Sequence, residues 1–494
     1  MEWLAGARVA LTPRPVPRRD AVLEVAMLGH CPGRVRLARL HDLTAALEDM
    51  RAAGLNAQVD ALLAGEPAEL YHRPIPLRAS AEFHDIFPDA AAAGTGYASL
   101  LAGQGAWLAQ AVDDFFANGG EKLWVVRVPE EEGQRGFLPA DDSLLHAEAL
   151  RGIATVLAIP SVAVLALPDL ERLQIPARLP DFSRVRLDNP DPCFLPCGET
   201  LSDGHRERRN PGEIPHAPDP APLESLLREI LAFVARNRPD VQCLLTLPLA
   251  YSGELDSPVA DPAALKTLAA IRDHGSGSLL RHGQFLFPYL RGPRFALRSP
   301  VGVVAGQQSA VARQAGPWRS MAARPLTTDA LPYPRLCVAE TLRLRDEPGI
   351  WVLQYRSGRV SLDDERLVVP ALPPADSANS PGPGRFDPFR SAEAMRFLGY
   401  LRRQLQRLGE QLVFRADHRD PRPRLLLDQF FRSLHAQGAL RGRLPEDAYR
   451  VTESQPGEGM MLFEIMVAPA LPIDRLFLTF TNLDGEWQAE VAGG

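Results

Sequence analysis

The stretch from Gln104 to Val128, QGAWLAQAVDDFFANGGEKLWVVRV, constrains this chain more than any other. Trp107, Leu108, Ala111, Val112, Phe115 and Phe116 recur at helical spacing, with Gln110, Asp113 and Asp114 between them. The spacing predicts a helix over Gly105 to Ala117 with one buried face. Asn118, Gly119 and Gly120 supply the left-handed backbone that a helix end favours. Leu123 to Val128 is then a short Val-rich run around Trp124, the pattern of a strand covered on both faces. A helix that stops and feeds such a strand is the building unit of an α/β sheet.

The same unit recurs along the chain. Ala21 to Leu28 reads as a first strand, stopped by Gly29 and by Pro32-Gly33. Leu37 to Leu63 reads as helical, interrupted at Gly54. Ile75 to Ser80 is extended, and Ala81 to Phe87 makes a turn or two of helix. Beyond the acidic run Glu130 to Glu132, a helix is expected over Leu144 to Val156, a strand over Val162 to Leu167, a helix over Leu223 to Arg236 and a strand over Val241 to Leu247. Phe285 to Leu290 adds a further strand before a Gly-rich segment, Val301 to Gly306. Apolar strands alternating with helices imply a mostly parallel, doubly covered sheet.

Two segments break the pattern. Gln174 to Pro222 carries ten prolines and little periodicity, so it should run over the surface. Val369 to Arg390 has the composition of a linker. After it, Ser391 to Gln411 reads as a long amphipathic helix with Ala394, Phe397, Leu398, Leu401, Leu405 and Leu408 on one side and Arg396, Arg402, Arg403 and Arg407 on the other. A strand at Leu412 to Ala416, a helix at Arg424 to Gln437 and a strand at Met461 to Val467 follow. Arg475 to Val491 closes the chain as a hairpin that turns at Asp484-Gly485. The expected organisation is an arm over residues 1–20, an α/β domain over 21–335, a connecting segment over 336–390 and an α+β domain over 391–494. No internal repeat is visible.

With 494 residues and 46% hydrophobic content the chain can bury sizeable cores. Its formal charge of −7 is modest and its basic residues are dispersed, which points away from nucleic acid. Five cysteines in such a length make no disulfide framework. No secretory signal is visible, and the uncharged run Gly152 to Pro168 is split by Pro160 and short for a bilayer.

Catalysis in an α/β sheet is placed just beyond the carboxyl ends of the parallel strands. Here those positions hold Pro129, Pro168 and Pro248, which offer neither acid, base nor backbone donor. Asp169 is the one polar residue that stands out there, and it fits a turn cap as well as a catalytic role. Gly94-Thr-Gly96 and Gly103-Gln-Gly105 are fragments of a dinucleotide loop without its third glycine. Cys193, Cys197, His205 and His216 form the one metal-like grouping, at loose spacing that ordinary thiols and solvated histidines explain as well. No cofactor is implied.

Four segments carry a resemblance. WLAQAVDDFFANGGEKLWVVRV, LRGIATVLAIPSVAVLALPDL, RPDVQCLLTLP and QFLFPYLRGPRFALRSPVGVVAGQQSAVARQAGPW, followed by the C-terminal helix–strand–helix–hairpin pattern, resemble phage-type contractile tail sheath proteins and the sheaths of bacterial contractile injection systems. The resemblance spans most of Ala21 to Val491. It implies a non-enzymatic structural subunit that assembles in the bacterial cytoplasm as part of a phage tail or tail-like particle. Its partners would be further copies in stacked hexameric rings, an inner tube protein, and baseplate and terminator proteins, without nucleic acid or membrane insertion. Contraction of such a helix drives the tube through a target membrane.

An extended arm and a terminal hairpin are also what strand exchange between subunits needs. Val9, Leu11, Leu476, Leu478, Phe480, Trp487 and Val491 are therefore expected to make inter-subunit strands. Arg402, Arg403 and Arg407 are the candidates for facing an acidic tube. The Leu37 to Leu63 insertion and the missing Pro-Gly-Val-Tyr opening leave room for a specialised, non-contracting or baseplate-proximal ring. An α/β enzyme or nucleotide-binding protein is the competing class.

Overall fold

The computed structural model describes residues 22–64, 70–90, 103, 105–141, 144, 150–175, 223–251, 258–273, 277–293, 297–346, 349–369, 388–412, 420–454, 461–471, 476–483 and 486–493. The strands, in chain order, are β1 (Glu24–His30), β2 (Ile75–Leu77), β3 (Leu123–Val128), β4 (Val162–Ala166), β5 (Gln242–Thr246), β6 (Leu249–Tyr251), β7 (Pro258–Ala260), β8 (Gly283–Phe287) and β9 (Tyr289–Arg291). They continue with β10 (Leu297–Arg298), β11 (Pro325–Leu326), β12 (Leu331–Tyr333), β13 (Trp351–Arg356), β14 (Arg359–Leu362), β15 (Tyr449–Ser454), β16 (Met461–Val467), β17 (Leu476–Leu483) and β18 (Glu486–Gly493).

Nine of them form one sheet in the order β11-β14-β13-β8-β5-β4-β1-β3-β2. The six strands from β13 to β3 pair in parallel, and antiparallel strands close both ends. All residues of β1, β3, β4, β5 and β8 are buried, because helices cover both faces. The expected strand over Phe285 to Leu290 is two strands, since Pro288 lacks the N–H that would continue the ladder.

The anchor helix runs Leu108–Ala117. It ends as expected: Gly119 has φ 85°, and the amides of Gly119 and Gly120 reach back to the carbonyls of Phe116 and Phe115 at 3.0 and 3.1 Å. Its partner was not foreseen. The Gly-rich segment Val301 to Gly306 forms the first turns of a buried helix, Val301–Ala315. A Cβ on Gly302 would lie 2.4 Å from the Ala111 carbonyl oxygen, and one on Gly306 2.2 Å from that of Phe115. Glycine four residues apart lets the two helices touch backbone to backbone.

Four further expectations are corrected. Over Leu144 to Val156 the described residues are helical only from Ala154, because Gly152 takes φ 53° and its amide donates to His72 Nδ1. Leu37 to Leu63 is three short helices, Leu37–Asp42, Thr44–Ala52 and Asn56–Leu63. The segment expected to connect the domains instead supplies the helix Val338–Asp346 and strands β13 and β14, which extend the main sheet. Leu412 ends a helix rather than opening a strand, and residues 413–416 lie outside the described residues, as do 1–21 and 174-to-222 beyond Ile175.

The C-terminal region packs the helices Ala392–Leu412 and Arg422–Ala436 against an antiparallel sheet, β15-β16-β17-β18. Phe397, Leu401, Leu405, Leu427, Phe431, Phe463, Ile465 and Phe480 make its own core, separate from that of the main sheet.

Candidate functional site

The order of strands locates the crevice in which an α/β sheet ordinarily works. The chain passes from β1 to its neighbour β3 and then crosses to β4 on the other side of β1, so the switch point lies between the carboxyl ends of β1 and β4. That position is filled from within. Asp169 is fully buried, and its carboxylate accepts hydrogen bonds from the amides of Trp107 (2.8 Å), Leu108 (3.0 Å) and His30 (3.0 Å) and from Arg172 Nε (2.8 Å). Two of these amides open the anchor helix, where a doubly wound enzyme would seat a ligand's phosphate. The protein's own carboxylate takes the anion's place. A Cβ on Gly29 would stand 2.6 Å from Asp169 Oδ2 and 2.7 Å from Leu108 Cβ, so no gap separates strand, helix and acid. Asp169 is thus a cap, of a helix some sixty residues upstream rather than of its own turn.

Around it the charges are paired off. Arg172, fully buried, reaches His30 Nδ1 at 3.0 Å and Glu130 at 3.2 Å. Because the guanidinium only donates, Nδ1 must be bare, leaving the proton on Nε2, beside the Phe137 ring. Burial lowers the pKa of His30 and Arg172 lowers it further, while Asp169 opposes them. Glu171, the next residue but one after Asp169, accepts from the Thr246 amide at 3.0 Å and meets the Ser299 hydroxyl. Burial pushes its carboxyl up to about 8, so it holds its proton at neutral pH. Beside it a cavity of about 30 Å³, lined mostly by Leu226, Leu227, Ile230, Leu245 and Phe285, has room for little more than water.

No group of three or more His, Cys, Asp or Glu side chains that could hold a metal is present among the described residues. Cys193, Cys197, His205 and His216 lie outside them, as do Gly94 and Gly96. No helix among the described residues is long and apolar enough to cross a membrane.

The arginines of the long C-terminal helix divide into two sets. Arg403 does not face outward. It is 6% exposed and donates to the Asp240 carbonyl at 2.7 Å and carboxylate at 3.1 Å, at the amino end of β5. Burial would raise the pKa of Asp240, yet Arg238 and Arg403 together hold it at about 2. One helical turn earlier, Gly399 lets the helix approach so closely that a Cβ there would stand 2.4 Å from the Asp240 carbonyl oxygen. Arg396, expected on the surface, is likewise buried and pairs with Glu365 at 3.1 Å. Arg396 and Arg403, seven residues apart on one helix face, clamp the C-terminal region onto the amino pole of the main sheet. The acidic partners, 163 residues distant for Asp240 and 31 for Glu365, left no signal in the sequence. The spacing of two arginines around a glycine was the legible half. Arg402 and Arg407 are partly exposed.

The terminal hairpin forms as expected, with Leu483 opposite Glu486. Its first strand is not free, however. β17 is paired along its length with β16 on one side and β18 on the other. Leu478 and Phe480 are buried in the core of the same chain, and Leu476 shares that doubly paired strand. These three are corrected: they have no edge to offer another copy in this arrangement. Among the described residues β18, which holds Trp487 and Val491, has a strand partner on one side only. Val9 and Leu11 lie outside the described residues.

No protein-family model matches the sequence, and no curated protein matches it significantly. Solved structures do. The chain is similar to one in the anti-feeding prophage (AFP) baseplate in contracted state, at 15% identity and TM-score 0.51, over 92% of this chain and 90% of that one. It is similar to one in the six-fold symmetrised AFP baseplate, at 14% identity and TM-score 0.50, over 96% and 97%. The AFP helical sheath in contracted state matches at 13% identity and TM-score 0.49, over 96% and 98%. At these identities the likeness is one of fold, a mostly parallel α/β sheet joined to an antiparallel C-terminal domain.

Proposed function

We propose that this chain is a structural subunit of a contractile sheath, polymerising helically around an inner tube and shortening to drive that tube through a target membrane. The observation that carries the reading is the fold shared with AFP baseplate chains over nearly the whole length of both. Two features of the chain support it. The crevice that would hold a substrate is occupied by Asp169 and closed by Arg172, His30 and Glu130, which disfavours an enzyme or nucleotide-binding protein. Among the described residues the C-terminal sheet leaves both of its outer strands, β15 and β18, paired on one side only, and an unpaired edge invites another chain's strand.

In this reading Trp487 and Val491 on β18 accept a strand from a neighbouring copy, and Val9 and Leu11 in the N-terminal arm supply one. Arg402 and Arg407 face the tube. Copies stack as hexameric rings between a baseplate and a terminator protein, assembled in the bacterial cytoplasm. A non-contracting or baseplate-proximal ring is the second reading, favoured by the matches at TM-score 0.50 and 0.51 being to baseplate structures.

Co-expression with the products of neighbouring genes, followed by negative-stain microscopy, tests the proposal. Rods of fixed diameter with an inner tube are expected; single rings would favour the second reading. A monomer under all conditions would overturn both. Deleting residues 1–19 should abolish polymers and leave a folded monomer.

A further inference from the structure

Two exposed features at the carboxyl pole of the main sheet take no part in the domain junction or the β18 edge. The first is a hairpin tip. β13 pairs with β8 only at Trp351 and Val352, opposite Leu286 and Phe287, where β8 ends. From Leu353 onward its ladder partner is β14 alone, so the two-stranded ribbon runs on past β8 by about four residues, roughly 13 Å. Ser357 (φ 52°) and Gly358 (φ 79°) make the tight turn. Tyr355 is 48% exposed, and Arg356, Ser357, Gly358 and Arg359 are all exposed.

Arg356 and Arg359 stand directly opposite each other in the ladder. Like charges so placed destabilise a hairpin, and neither arginine has a carboxylate partner among the described residues. A solvent-exposed turn gains nothing from this repulsion unless something anionic meets it. Tyrosine and arginine are also the residue types that dominate protein contacts.

The second feature is the acidic run after β3. Glu130 and Glu132 are engaged inside the chain, with Arg172 and with His72 and Arg151, whereas Glu131 is exposed. β13 and β3 are separated in the sheet by β8, β5, β4 and β1, five strand spacings or roughly 24 Å. One pole of the domain therefore carries a cationic tip towards one edge of the sheet and the exposed carboxylate of Glu131, with Arg135 four residues on, towards the other. A head-to-tail contact between identical subunits requires such a pair of different, complementary patches.

We propose that the Tyr355–Arg359 tip of one copy docks on the acidic turn around Glu131 of the next, as a lateral contact between outer domains. This rests on the sheath reading for the side-by-side placement of copies. The contact is electrostatic and exposed, so it steers assembly and weakens with salt.

The test compares polymer yield of the full-length chain, by sedimentation and negative-stain microscopy, for wild type, R356E/R359E, and R356E/R359E with E131R. The double variant is expected to raise the concentration needed for assembly about tenfold at physiological salt. Adding E131R restores it by reversing the partner charge. All three positions are exposed, so thermal unfolding of the dissociated chains should be unchanged. Normal assembly of R356E/R359E, or failure of E131R to restore it, overturns the tip contact while leaving the sheath reading standing. A wild-type chain that never assembles overturns both.

Discussion

Glu171 makes the stability of the α/β domain depend on pH in a direction opposite to that of most carboxylates. Burial raises its pKa from 4.5 to about 8 despite the bonds from Ser299 and Thr246. In the unfolded chain the same carboxyl ionises near its ordinary value. Between pH 4.5 and 8 the folded state therefore binds one proton that the unfolded state has released. A raised folded pKa contributes stability that is complete below the unfolded value and is lost as pH climbs through the folded one. Each unit of this window costs about 1.4 kcal/mol. The loss is about 3 kcal/mol by pH 7 and approaches about 5 kcal/mol above pH 8, both upper figures for a buried acid. Glu171→Gln keeps the shape, with an amide oxygen for the Thr246 N–H and an amide N–H for Ser299 Oγ, and removes the titration. Urea unfolding of the dissociated chain should give equal stabilities for the two proteins near pH 5 and a variant more stable than wild type by a few kcal/mol at pH 8.5. Parallel curves for the two proteins from pH 5 to 9 would refute the assignment of a buried, protonated Glu171.

The helix crossing gives a second prediction. Gly306→Ala forces a methyl group into the Phe115 carbonyl and should cost about 3 kcal/mol, read as a lowered melting temperature, whereas Gly292→Ala, with nothing within 4 Å, should cost nothing measurable. Asp169→Ala takes the acceptor from the Trp107, Leu108 and His30 amides and from Arg172 Nε, and should destabilise the chain by about 3 kcal/mol or more in the same assay. Arg403→Ala should loosen the domain junction by about 3 kcal/mol, the low end of the range for a broken buried pair because Asp240 keeps Arg238. Limited proteolysis of that variant should release the C-terminal domain earlier than in wild type. Because Asp240 titrates at about 2, below its ordinary 3.8, the junction's ion pair is fully present above pH 4 and is lost as pH falls through 2, so junction cleavage in the wild type should be flat from pH 5 to 8.

Local sequence was sufficient wherever a segment's fate depends on its own periodicity and termini. β3 and the end of the anchor helix were legible because a Val-rich run and an Asn-Gly-Gly stop decide their conformation with little outside help. So were β4, β5, the helix ending at Asn237 and the terminal hairpin. The helix begun by Val301 to Gly306 was not legible for an equally physical reason. In isolation glycine weakens a helix, and only the backbone of Ala111 and Phe115 pressing on Gly302 and Gly306 makes its missing side chain an advantage. Tertiary structure alone decided that Arg403 and Arg396 turn inward, since their carboxylates come from Asp240 and Glu365 in the other core. It also decided that Asp169 serves a helix that precedes it by some sixty residues, and that Leu478 and Phe480 face their own core. Periodicity reports which face of an element is apolar; which partner covers that face, and which charge a buried arginine answers, is settled only when distant segments meet.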